Sequence, residues 1–273
     1  MPEWGWFRKR VGEVESQFGT WIERQSEGKH FDWDPNQFLT SLISGKRNDA
    51  LDALTDALGK GVPLVDLVDV LSEGAAERIL RFEIATDRAN DIQNGWLAIT
   101  HIATYINALR SAILRFNQPE LFRLFYYGVR FINQGKALDG VASAEVIPEE
   151  SYSLESDYVH RIEKALISND PSQAMGLTQS YLRKFEEACL LEEACQDLVF
   201  EDYLVRPIVV GHWIKMTVAL FEEYRMSKSP NKEKHLLALM RFGATPIRER
   251  WISRVSFEAI QFLEHGKVPK DLM

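Results

Sequence analysis

Apolar residues return every three to four positions along almost the whole chain, the period of one helix face. Alternating strand-type runs joined by Asn-Gly or Asp-Gly turns are nearly absent. The pattern predicts an all-α protein. DPNQFLTSLISG reads as a capped helix, with Asp34 at the N-cap, Pro35 in the first turn and Gly45 as the stop. NDALDALTDALGKG follows, closed by Gly59 and Gly61, and Pro63 opens PLVDLVDVLSEGAAERILRFEIATD. A long helix around His101 ends near Asn117–Pro119, and PELFRLFYYGVRFINQG is another closed by glycine. Residues 139–151, DGVASAEVIPEES, have small residues, a proline and no periodicity, which marks a linker.

Beyond that linker the pattern returns. EKALISNDPSQAMGLTQSYLRKFEEACLLEEA lies over LTSLISGKRNDALDALTDALGKGVPLVDLVDV so that Leu42, Ile43, Ser44, Ala50, Leu58 and Leu67 meet Leu166, Ile167, Ser168, Ala174, Leu182 and Leu191. Each half then reaches a long helix with His-x6-Ala-Leu, beginning at His101 and at His212. The expected organisation is an N-terminal helical extension over 1–30 and a first helical half over 31–138. The linker over 139–151, a second half over 152–226 and a C-terminal helical pair over 227–273 complete it. Two similar halves without a short strict period predict one compact multi-helix bundle, not a solenoid.

Composition narrows the function classes. The 273 residues are 45% hydrophobic and 26% charged, enough chain to bury a core without disulfides. The net charge is −8 and no dense Lys/Arg block occurs, which argues against a nucleic-acid partner. The start, WGWFRKRVGEVES, lacks a signal peptide's apolar stretch, and no apolar run approaches the roughly 20 residues of a bilayer span. A cytoplasmic protein without membrane insertion is expected. Cys189 and Cys195, six apart on one helix, face different ways and read as reduced, core-filling thiols.

Histidines carry most of the candidate chemistry. The helix stripe from His101 is Tyr105, Ala108 and Ala112; from His212 it is Met216, Ala219 and Glu223. Small residues two turns on leave room for a neighbouring helix or a ligand. Each histidine is either a neutral core imidazole with one polar partner or a member of a reactive site. Asp157 and His160 share a face at i and i+3, a spacing used by carboxylate–histidine metal sites in bundles, or Asp157 is simply a first-turn charge. Glu83 follows the apolar Leu80 and Phe82 and is a candidate ligand or base, whereas Glu73, Glu77 and Arg81 read as a solvated charge ladder. His30, His235 and His265 sit in charged or glycine-rich surroundings and read as surface residues. No Gly-x-Gly-x-x-Gly, Walker loop or Gly-x-Ser-x-Gly elbow occurs. Seven tryptophans and fifteen phenylalanines fit a core, and also the lining of a pocket for a planar ligand.

AAERILRFE followed by GWLAITHIATYINALR, and later ESDYVHRIEKAL, resembles the helical region fused behind Rieske [2Fe–2S] domains in a group of bacterial proteins, across roughly residues 35–225. The histidine-bearing helices are also similar to those of questin oxidase-like proteins, which open polyketide rings in a Baeyer–Villiger manner. The cluster itself needs Cys-x-His and Cys-x-x-His ligand pairs, and neither cysteine has one. The resemblance therefore implies a helical module acting beside a separate iron–sulfur protein. It carries over His101, Tyr105, Asp157, His160 and His212.

Two functions follow as expectations. One is an oxidoreductase-type enzyme with a hydrophobic, aromatic-type substrate in an interhelical cavity. There His101, Tyr105, His160 and His212 would move protons, or His101, His160 and His212 with Asp157 or Glu83 would bind a single iron or zinc ion. The other is a non-catalytic subunit or adaptor packed on a redox partner. Self-association is compatible with both.

Overall fold

The computed structural model describes residues 2–25, 32–88, 95–140, 144, 146–147, 152–185, 187–200, 207–245 and 250–268. They form α1 (Pro2–Gly12), α2 (Phe18–Arg24), α3 (Pro35–Ile43), α4 (Arg47–Lys60), α5 (Leu64–Arg81), α6 (Gly95–Arg115) and α7 (Leu121–Gly135). The second series is α8 (Glu155–Ile167), α9 (Pro171–Leu182), α10 (Cys189–Phe200), α11 (Pro207–Met226), α12 (Glu233–Ala244) and α13 (Arg250–His265). The fold is all-α. Among the described residues strand pairing amounts to one isolated bridge, Phe82 to Asp139.

The caps work as the sequence predicts. The Asp34 carboxylate accepts the Asn36 amide at 2.8 Å, with Pro35 in the first turn. Asp170 repeats the device before Pro171 by accepting the Gln173 amide at 2.9 Å. α4 runs through Gly59 and ends at Gly61, whose φ of 79° lies where a side chain would be strained. The expected long helix after Pro63 is shorter than the pattern implies: it ends at Arg81, and a 3-10 turn covers Ile84–Arg88.

α5 is the central helix. Every residue from Leu67 to Leu80 is buried, four charged side chains included. It packs on α3, α6, α7 and α12. The neighbours then recur in order: α3 contacts α4, α5 and α7 as α8 contacts α9, α10 and α12. Likewise α4 lies on α7 as α9 lies on α12, and α6 joins α5 to α7 as α11 joins α10 to α12. The two series meet where α6 crosses α11 and where α5 lies on α12. α6 has the length and apolarity of a membrane span, but it packs against α5, α7 and α11.

Charges buried along α5 are matched from distant parts of the chain. Arg78, fully buried, donates to the carbonyls of Ile132 at 2.7 Å, Leu42 at 3.0 Å and Ile43 at 2.6 Å, and pairs with Asp139. The start of the expected linker is thus tied down, with the Gly140 and Ala144 amides each donating at 2.7 Å to the Arg81 and Leu80 carbonyls. Glu73 and Glu77 do not form a solvated ladder, since they are 5% and 7% exposed. Glu73 accepts from Ser229 at 2.7 Å, Asn231 at 2.9 Å and Lys234 at 3.0 Å, and Lys234 also reaches Glu77 at 3.3 Å. Burial raises the Glu73 pKa, but those donors outweigh it and hold it below the ordinary value. His235 is likewise no surface residue. It is fully buried, its Nδ1–H donating to the Lys232 carbonyl at 2.8 Å and its Nε2 accepting from Ser72 at 2.7 Å.

A second buried ionic group joins three helices. Arg110 of α6 binds Glu223 of α11 through Nε and Nη2 at 2.8–3.1 Å, and its Nη2 lies 2.8 Å from Asp69 of α5. Burial lowers the Arg110 pKa, yet Glu223 and Asp69 reverse the balance and raise it. Removing one partner strands a buried charge, so Glu223→Ala should cost about 3–5 kcal/mol in urea unfolding. Burial also holds the His235 imidazole below its ordinary pKa, so in the window that opens below about pH 6.5 the unfolded chain binds a proton at this ring that the folded one does not. Stability is full above that window and falls as the pH drops through it, by up to about 1.4 kcal/mol per pH unit for one such group. Urea midpoints between pH 7.5 and 5 should show this slope, and His235→Gln should flatten it.

Candidate functional site

α6 and α11 cross in the same direction: His101 faces His212, and further along both helices Asn107 and Arg110 face Glu222 and Glu223. Neighbouring helices fix that register. Gly128 and Gly135 let α7 press on α6, because a Cβ at these positions would lie 2.9 Å from Ile106 and 3.0 Å from Ile102. On α11, Trp213 donates its indole N–H to the Cys195 carbonyl at 3.0 Å and stacks on Phe242. The ring lies where a side chain on Gly243 would be. With Trp213 held toward α10 and α12, the adjacent His212 turns toward α6.

The two imidazoles meet Nε2 to Nε2 at 3.1 Å, with ring planes inclined by 52°. Two bare nitrogens would repel at this distance, so one Nε2 carries hydrogen and the other accepts it. The pair is asymmetric. His212 is 8% exposed and its stripe of Met216, Ala219 and Glu223 is buried, whereas His101 is exposed and Ala108 with it. Partial loss of water, then His212, then the Lys215 ammonium push the His101 pKa below the ordinary imidazole value, so the ring is neutral at pH 7. It is a base with an open side.

The other expected site residues stand elsewhere. The Tyr105 hydroxyl donates to the Leu124 carbonyl at 3.0 Å and its ring packs edge-on against Phe131; burial raises its pKa, so it stays a phenol. His160 leaves α8 for solvent, its side chain 82% exposed and 3.8 Å from Glu163, and Asp157 in the first turn of α8 is exposed. Glu83 accepts the Ala85 amide at 3.0 Å and caps the 3-10 turn. The structure therefore brings together His101 and His212, and not His160, Asp157, Glu83 or Tyr105. Among the described residues no group of three or more His, Cys, Asp or Glu is placed to hold one ion, so the described donors to a metal at this crossing are the two Nε2 atoms.

One of the two cysteines departs from expectation. Cys195 is buried, its thiol pKa pushed up by burial, but Cys189 is exposed and fills no core. His265 is exposed near Glu264, as expected, and His30 lies outside the described residues. One described cleft, of about 350 Å³, is lined by Trp6, Lys9, Arg10, Glu13, Asn48 and Asp52, on other elements than the histidine pair. The Arg110–Glu223 contact was signalled in sequence by Glu223 lying on the His212 stripe; Arg110 had no such mark.

No family model, curated protein or solved structure matches the chain.

The geometry gives a substrate-free readout. In a histidine-selective NMR titration, His101 should reach half-protonation below pH 6.5, and Lys215→Gln should move that midpoint upward by removing a neighbouring positive charge. An unmoved midpoint would break the assigned electrostatics.

Proposed function

We propose that the chain is an oxidoreductase-type enzyme whose proton-transfer group is the His101–His212 pair, acting on a hydrophobic small molecule. The observation that supports this reading is the 3.1 Å Nε2–Nε2 contact, made by one exposed and one buried ring from separate parts of the chain. A neutral imidazole with a lowered pKa accepts a proton near neutrality. A second imidazole in hydrogen-bond contact shares the resulting charge and returns the proton later. His101 meets the substrate in this scheme, and His212 orients and relays.

Ala108, two turns beyond His101 on the same face of α6 and exposed like it, supplies a small apolar contact for a hydrophobic molecule beside the ring. The oxidoreductase class rests on the resemblance to Rieske-associated helical regions, and with it the supply of electrons by a separate iron–sulfur protein, with dioxygen as the oxidant that takes them up.

A second reading, a helical subunit or adaptor without chemistry of its own, draws on α13. Its end exposes Ile260, Phe262 and Leu263, with Val268 just beyond. Untagged protein incubated with aromatic small molecules and a reduced ferredoxin distinguishes the two. Product formation should fall about 100-fold or more in His101→Asn and His212→Asn, and stay unchanged in His160→Asn. No product from the unaltered protein would leave the adaptor reading, and full turnover in both pair variants would remove the pair from the chemistry.

A further inference from the structure

Resting on that reading of the pair as the reactive group, we propose that a divalent transition-metal ion of the Zn²⁺, Ni²⁺ or Cu²⁺ class binds across His101 Nε2 and His212 Nε2 and shuts the proton-transfer site off. Two nitrogens 3.1 Å apart subtend roughly 100° at an ion about 2.05 Å from each. That angle lies between the square and tetrahedral values these ions accept. The same spacing that suits a shared hydrogen therefore suits a shared metal.

Two further features support the site. Arg110 and Glu223 lock α6 to α11 further along, so the nitrogens are held at bridging distance before an ion arrives. His101 is exposed, which gives the ion an entry and leaves room for water as its remaining ligands. The Lys215 ammonium, whose charge acts on the His101 ring, opposes the incoming cation. Two neutral imidazoles favour borderline metals over Mg²⁺ and Ca²⁺, which take oxygen ligands.

The exchange balances simply. The ring that carried Nε2–H moves its hydrogen to Nδ1 through water, and both Nε2 lone pairs bind the ion. With both rings neutral no net proton is released; in acid, protons compete with the ion for the same lone pairs and binding weakens. With both lone pairs occupied, neither ring can accept a proton from a substrate. Bound metal and turnover are mutually exclusive.

Equilibrium dialysis of the full chain against Zn²⁺, Ni²⁺ or Cu²⁺ at pH 7.5 should give one ion per chain, with Cu²⁺ tightest and no uptake of Mg²⁺. Binding should weaken at least tenfold in His101→Asn, an exposed position that the fold tolerates, and at pH 5. It should persist in His160→Asn and in Cys189→Ser, which control for a solitary exposed imidazole and thiol. Uptake unchanged in His101→Asn, or lost in Cys189→Ser, would overturn the site. Titrating the same ions into the turnover assay separates the two proposals. Metal uptake with undiminished turnover overturns the inhibitory role, and turnover that needs the pair while no metal binds overturns the site alone. Metal uptake with turnover indifferent to His101→Asn keeps the metal site and removes the enzymatic reading.

Discussion

Arg110 cannot be buried alone, and much of the architecture follows from how its charge is met. A guanidinium taken out of water loses more solvation than one carboxylate returns unless the geometry is close and the remaining donors are satisfied. Glu223 and Asp69 meet it from two other helices, and Asn107 bonds Glu222 and Glu223 beside it. Such a group tolerates little sliding, because a shift of one turn, about 5.4 Å, would part the ions altogether. It therefore sets the register in which α5, α6 and α11 can pack.

That register makes the histidine contact. His101 and Arg110 are nine residues apart on α6, and His212 and Glu223 eleven apart on α11. On parallel helices rising about 1.5 Å per residue these spans differ by only about 3 Å. Fixing one contact brings the other within reach. A buried ion pair that adds little net stability thus positions a polar pair near the surface, where chemistry can begin. The glycines of α7 and α12 refine the arrangement by admitting Ile102 and Trp213, each next in sequence to one of the two histidines.

Much of the fold was legible in the chain. The cap at Asp34, the stop at Gly61 and the 3.6-residue period mark helices because each depends on residues close in sequence. His101 and His212 could be singled out through the shared His-x6-Ala-Leu spacing. Glu73, Glu77 and His235 were misread for the opposite reason: their partners come from α5, the 227–231 connection and α12, about 160 residues apart in the chain. Periodicity reports which face a residue occupies and says nothing of a counter-charge folded over it. The Asp157–His160 spacing misleads in the converse way, since a local pair can look like half a metal site while facing solvent. Glu83 looked inward by its apolar neighbours, yet the helix ends two residues before it and its carboxylate turns to an amide nearby.

The ionic contacts between the two helical series also bear on what would follow if the chain were cut in the 139–151 stretch. The N-terminal piece would keep Asp69 with Arg110 and Glu77 with Arg81, while Glu223 and Lys234, the partners of Arg110 and Glu73, would leave with the other piece. Each fragment would carry charges whose counterparts reside in its mate. The two segments behave as a dovetail: they can be separated on paper and evolve only in step, every altered charge on one side calling for an answering change on the other.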